Sequence, residues 1–297
     1  MLFERQRLLL ALLDAMGEPL PGTDFQKLLF LYTREWEQEP SYDFVPYQYG
    51  GFSFTSYADK RKLIAHGLLV EDDKRWELTP AGRKAVAGEK ALRERLGRFR
   101  LRRGALRGDA LIRAVYLRHP YYATRSKISA RVLRTAEERD KVAAAQPEKK
   151  GPGVVTIGYE GKTLERYLNQ LIQDSVTLLC DVRRNPLSRK YGFSKSTLKN
   201  ACETVGIRYE HLPQLGIDSG DRRNLETQAD YDALFADYEK KSLPQQTAAL
   251  DTIRRWVDEG ERVALTCYEA LPCQCHRNCV AEAVERLGKK RLKPAHL

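Results

Sequence analysis

Apolar residues follow two regimes along this chain. Up to about residue 134 they recur at helical spacing, and from Val154 they gather into short runs separated by amphipathic stretches. Leu8, Leu9, Leu12 and Leu13 form one helical stripe. A second helix is predicted after Gly22-Thr23-Asp24, where Thr23 or Asp24 can cap, with Phe25, Leu28, Leu29, Leu31 and Tyr32 inward. An aromatic, extended connection follows over residues 42–51. A third helix is predicted over 53–65, closed by His66-Gly67 with the glycine as left-handed cap. Residues 68–71 and 75–79 flank Asp72-Asp73-Lys74 and read as a β-hairpin. Residues 80–134 read as helical and arginine-rich, interrupted at Pro120-Tyr121-Tyr122-Ala123. Residues 136–153 are polar and end in Pro and Gly, the signature of a linker.

Beyond the linker, strand-like runs at 154–158, 175–181, 206–211 and 262–267 alternate with helical stretches at 163–173, 194–204, 227–240, 243–259 and 277–288. Strands alternating with helices predict a mainly parallel, three-layer α/β sheet. The acidic stretch 226–241 reads as an insertion before the last of these strands. The expected organisation is residues 1–82, a basic helical segment 83–135, a linker 136–153 and an α/β domain 154–297.

Charge sharpens this division. Residues 1–150 carry 29 Lys+Arg against 20 Asp+Glu, a net +9, while residues 151–297 carry 22 against 20. Residues 83–134 hold 16 basic and three acidic side chains. A field this one-sided attracts polyanions, so double-stranded DNA is the expected partner. No run of 18 apolar residues exists and the apolar N-terminal patch is flanked by Glu4 and Asp14, so neither a membrane span nor a signal peptide is expected. A cytoplasmic location follows as the expectation, with reduced cysteines; a homo-oligomer is compatible with the pattern.

The order helix, helix, helix, hairpin is the winged-helix plan. The phrase GLLVEDDKRWELTPAGR, residues 67–83, resembles the wing and exit of winged-helix DNA-binding domains. YDFVPYQYGGFS, from Tyr42, is similar to a module found on some prokaryotic defence and toxin–antitoxin-associated proteins. The resemblance implies duplex binding with the helix near 54–62 as groove reader. Candidate DNA contacts are Lys60, Lys62, Lys74, Arg75, Arg98, Arg102 and Arg103. Such a module can serve instead as a protein–protein adaptor.

In the second half, chemistry clusters where strands end. Val154 to Ile157 runs into Gly158-Tyr159-Glu160-Gly161, residues 176–180 into Asp181-Val182-Arg183, and residues 263–266 into Cys267-Tyr268-Glu269, with Cys275-His276-Arg277 beyond. In order, the phrases TIGYEGKTLERYL, LLCDVRRNPLSRKYGFSK, GIRYEHLPQLG and CYEALPCQCHRNCVAEAV resemble the motifs of the bacterial and archaeal family catalogued as domain of unknown function 488, over about 154–290. That resemblance implies a Rossmann-like α/β domain with its polar motifs at one edge. Cys273, Cys279 and the acidic insert depart from the family pattern.

Parallel strands bring their carboxyl ends together, where ligands bind. Glu160, Asp181, Glu269 and His211 are therefore the candidate catalytic groups, and Tyr159, Arg183, Arg189, Lys190, Phe193, Cys275, His276 and Arg277 the candidate substrate contacts. Carboxylates ringed by cations suit a phosphate-bearing substrate, with tyrosine and phenylalanine stacking on a base. Each element has a plainer reading. Asp181 and Arg183 can be a structural ion pair, as CDVR resembles the strand end of rhodanese-like domains; Arg277 can bridge to Glu269 within the fold. Cys267, Cys273, Cys275 and Cys279 follow C-x5-C-x-C-H-x2-C, which is not the paired spacing of common zinc sites. Free packed thiols are the expectation there, and no cofactor is required, although Zn²⁺ at the cysteines or Mg²⁺ at the carboxylates fits the donor types.

Three function classes fit. The first is a DNA-processing hydrolase, glycosylase-like or else a metal-dependent nuclease, in defence or repair. The second is a winged-helix transcriptional regulator whose α/β domain senses a ligand or redox state. The third is an adaptor without chemistry of its own.

Overall fold

The computed structural model describes residues 2–218, 220–221, 225–288 and 294–297. The chain forms two compact units, Met1–Gln146 and Pro147–Leu297.

In the first unit, α1 (Glu4–Met16) buries its leucine stripe and ends at Gly17, whose φ of 77° suits glycine. Next come β1 (Leu20–Pro21), α2 (Gly22–Glu35) and α3 (Phe54–Ala65), the last capped by the Ser53 hydroxyl, which accepts from the Ser56 N–H. The expected hairpin is present: Leu69 bridges Leu78 and the Val70 N–H donates to Glu77 O at 3.0 Å. Its second strand, β2 (Arg75–Trp76), pairs antiparallel with β1, placing Leu20 opposite Trp76. Trp76 is fully buried and stacks on Phe25 at 4.0 Å. Thr79 caps α4 (Pro80–Val86), and a Cβ at Gly82 would lie 2.1 Å from Leu68 O, so the Thr-Pro-x-Gly exit needs its glycine.

The basic segment belongs to this same body. Helices α5 (Lys90–Arg103), α6 (Gly108–Arg118), α7 (Ser129–Val132) and α8 (Ala136–Ala143) add Leu96, Phe99, Leu111, Val115, Val132 and Val142 to one core with α1 and α2. The stretch 136–143, read from its polarity as linker, is thus a helix anchored through Val142. Val142 is its one buried residue, and Glu138 adds an ion pair with Arg113.

The second unit is a five-stranded parallel sheet flanked by helices. Its strands are β3 (Gly153–Gly158), β4 (Leu178–Asp181), β5 (Arg208–His211), β6 (Arg262–Cys267) and β7 (Ala295–His296), in the order β5-β4-β6-β3-β7. The helices are α9 (Leu164–Gln173), α10 (Lys195–Thr204), α11 (Gln228–Asp237), α12 (Thr247–Asp258) and α13 (Arg277–Leu287). Leu178 and Leu179, like Ala264 and Leu265, are adjacent in sequence and both fully buried, so the sheet is covered on both faces. One face, with Leu178, Cys180, Val263 and Leu265, packs on Ile253 of α12 and Val280 and Val284 of α13. The acidic insert is α11 followed by a π-turn at Tyr238–Ser242.

Candidate functional site

Strand register sets the geometry. Asp181 lies opposite Thr266 on one side and His211 on the other, and Gly158 opposite Cys267, so the chemistry-bearing residues do end along one edge. Along that edge they make separate sets of contacts.

Asp181 is fully buried and its carboxylate is saturated. It accepts Arg183 Nε at 2.8 Å and Nη2 at 2.5 Å, the Arg183 backbone N–H at 3.1 Å and the Tyr209 hydroxyl at 2.7 Å. Arg183 Nη1 donates to Tyr159 Oη at 3.0 Å and Phe193 O at 2.9 Å. Burial alone would lower the pKa of Arg183, but its bonds to Asp181 and the charge of Asp181 outweigh that and hold it up. This is a buried ion pair in which both Asp181 oxygens are engaged. The plainer reading of Asp181 and Arg183, a structural ion pair, describes these contacts.

The other carboxylates are engaged separately. Glu160 Oε2 accepts the Ala270 N–H at 2.9 Å, and Glu269 Oε2 accepts the Cys267 thiol at 3.3 Å. His211 Nε2 donates to Arg183 O at 2.9 Å, and its Nδ1 meets Lys195 Nζ at 3.0 Å. The expected base-stacking rings stack on each other: Tyr159 and Phe193 lie 4.4 Å apart at 9°, and both are buried. Lys190 Nζ donates to Tyr159 O at 3.1 Å. Arg277 is 1% exposed and clamps its own loop, Nη1 to Glu269 O at 2.5 Å and Nη2 to Ala270 O at 3.0 Å. Both terminal nitrogens of the Arg277 guanidinium are thus engaged by carbonyls of its own loop.

Sulfur and imidazole, by contrast, converge. Cys267 ends β6, and Cys275 and His276 lie where the following loop enters α13. The donor atoms of Cys267, Cys275 and His276 all lie within 4.8 Å of one another, and all three residues are buried. His276 Nε2 sits 3.0 Å from Val182 O. A carbonyl only accepts, so Nε2 carries a proton, and Nδ1 faces Cys267 Sγ, 3.8 Å away. Burial first, and then the neighbouring Cys267, push the Cys275 thiol up. Cys273 is exposed and Cys279 packs in the hydrophobic cluster under α13, so the four-cysteine spacing resolves into two cysteines and a histidine. That group can hold a metal ion.

Cys267 and His276 form part of the wall of a cavity of about 340 Å³, whose other walls are Tyr159, Arg183, Arg184, Asn185, Leu187, Ser188, Arg189, Ile217 and Tyr268. Arg184 and Arg189 are exposed at its rim. Sequence reading found Arg189 and named Cys267 among the thiols, but did not single out Arg184 or Asn185. No pattern marks them, because they sit on an irregular loop after β4.

In the first unit, the expected DNA contacts divide. Lys60 is 4% exposed and donates to Asp72 O at 2.6 Å and Arg75 O at 2.7 Å, so it clamps the hairpin. Lys62, Lys74 and Arg75 are exposed. Arg103 pairs with Glu35 at 3.2 Å and Arg98 with Glu94 at 3.8 Å, while Arg102 lies over the Trp36 ring at 5.6 Å. Arg98, Arg102 and Arg103 line a cavity of about 650 Å³ with Glu35, Trp36, Leu101 and Arg118.

Residues 163–284 match the family described as Domain of unknown function DUF488. No curated protein and no solved structure matches the chain. The family match agrees with the resemblance read from the motifs, and it assigns no activity. No helix among the described residues is long and apolar enough to cross a membrane.

Proposed function

We propose that this chain is a double-stranded-DNA-binding regulator whose second unit senses a small anionic ligand. One observation carries the sensing half. At the sheet edge the three carboxylates are each engaged by the fold, while Arg184 and Arg189 stand at the rim of a cavity walled by Cys267 and His276. An open site of cations over soft donors recognises an anion without supplying the free acid–base pair that hydrolysis needs. The hydrolytic reading would use Asp181 or Glu269, with Glu160, and each of these carboxylates already has a partner within the fold.

The docking half is supported by element order and charge. Helix, strand, helix, helix and hairpin, with the first strand paired to the hairpin, follow one another as in a winged helix. Lys74 and Arg75 are exposed at the hairpin tip, and Lys62 is exposed on α3.

Anisotropy of a labelled duplex with the full chain tests both halves. Wild type binds with a salt-dependent affinity, and Lys74→Glu with Arg75→Glu lowers the log–log salt slope by about 2. At matched ionic strength, inorganic phosphate shifts duplex affinity in wild type but not in Arg184→Ser with Arg189→Ser. Absence of duplex binding at low salt removes the docking half. Indifference to phosphate removes the sensing half. Release of bases or cut strands from the duplex would restore the hydrolase.

A further inference from the structure

We propose that Cys267, Cys275 and His276 bind a thiophilic divalent metal, Zn²⁺ by chemistry, with one coordination position open to the cavity. The inference deepens the anion-sensing reading and rests on it for its regulatory meaning. Its structural basis is separate.

The first argument is geometric. A tetrahedral zinc with bonds of about 2.3 Å to sulfur and 2.0–2.1 Å to nitrogen requires S···N edges of about 3.6 Å and S···S edges of about 3.8 Å. Cys267 Sγ and His276 Nδ1 stand 3.8 Å apart, and all three donors fit within 4.8 Å. Closing onto a metal needs side-chain adjustments of an ångström or less.

The second argument is the histidine tautomer. Metal-bound histidine characteristically donates its other ring N–H to a carbonyl or carboxylate, which fixes the ring and aims the lone pair. Val182 O performs that role at 3.0 Å, from the residue after β4, so the imidazole is oriented by an element other than its own. Nδ1 therefore points at Cys267 by construction of the sheet.

The third argument is access. Cys267 and His276 border the cavity, and Cys275 is fully buried and does not. Three protein donors with a cavity on one side leave room for a fourth ligand, as in catalytic and ligand-binding zinc centres and unlike closed structural ones. Two thiol sulfurs and an imidazole favour zinc over magnesium, which prefers oxygen. The metal would add positive charge to the wall that Arg184 and Arg189 overlook, so the ligand is an anion with a metal-coordinating oxygen or sulfur.

Cobalt(II) titration of the full chain, reduced and metal-stripped, is the test. One Co²⁺ per chain is expected, with thiolate charge-transfer absorption and intense tetrahedral d–d bands. Cys273→Ser and Cys279→Ala should retain both. Cys275→Ser and His276→Asn should lower Co²⁺ affinity at least about 100-fold, judged against the 10–100-fold lost when only an outer-shell partner is removed. Inorganic phosphate added to the cobalt form should shift the d–d bands if the fourth position opens on the cavity. Wild-type protein without thiolate charge transfer overturns the site, whether or not the variants fold. Unchanged bands with phosphate overturn the open position. Cobalt binding that survives alongside phosphate-indifferent DNA binding would sink the sensing role and leave the metal site standing.

Discussion

Two clusters end adjacent strands of one sheet and have opposite chemistry. At the end of β4, Arg183 and Tyr209 engage both oxygens of Asp181. At the end of β6, Cys267 meets Cys275 and His276 in a group that borders a cavity. The strand-end rule says where ligands bind in open α/β sheets. It does not say which strand end is occupied by the protein itself. Both clusters have a partner two residues away, but of different kinds: Arg183 forms an ion pair with Asp181, whereas Cys267 gives Glu269 only a thiol hydrogen bond and keeps its sulfur beside Cys275 and His276.

The sharpest way to break this comparison is Asp181→Asn. It leaves Arg183 buried without its counter-charge, so the second unit should lose about 3–5 kcal/mol in urea denaturation. Asp181→Leu with Arg183→Met should recover much of that. An Asp181→Asn protein of wild-type stability would favour the catalytic reading over the structural one.

A buried cation with a weaker partner provides a control. Lys27 is 2% exposed and donates to Gly51 O at 2.9 Å; burial pulls its pKa down to about 7. The unfolded lysine titrates near 10.4, so between about pH 7 and 10 the unfolded chain holds more protons. The penalty is full below pH 7 and fades as pH rises. First-unit stability should therefore climb by as much as about 4 kcal/mol from pH 7 to 10, and Lys27→Met should flatten the climb.

Gly158→Ala disturbs the thiol cluster without touching a donor. A Cβ there would lie 1.8 Å from Glu269 O, which must move. A loss of about 1–3 kcal/mol is expected, with weaker Co²⁺ binding by the displaced loop. The smallest effect is at the rim: Arg184→Ser should leave stability within about 0.5 kcal/mol while reducing the phosphate response. A stability loss well beyond that would make Arg184 structural.

The fold was legible where hydrophobic runs were long. The runs at 154–158 and 262–267 lie within one residue of β3 and β6. The run at 175–181 overshot β4, because Ser175 adopts φ 58° and the Val176 N–H caps Leu171 O at the end of α9. β7 has two exposed residues and no apolar signal. Within the site, the Asp181–Arg183 pair was readable as an alternative from its spacing. The capture of Glu269 O and Ala270 O by Arg277 was not, since carbonyl acceptors leave no trace in residue types. The mutual stacking of Tyr159 and Phe193 likewise depends on a fold that brings residues 34 positions apart face to face.

That same Arg277 carries one more consequence. By tying two carbonyls of the β6–α13 connection to the first residue of the helix, it holds Cys267 and His276 at a set separation before anything arrives in the cavity. A host arranged in advance spends little entropy on its guest. Replacing Arg277 with methionine should therefore slow capture and hasten release at the sulfurs, although no atom of Arg277 would ever touch what they hold.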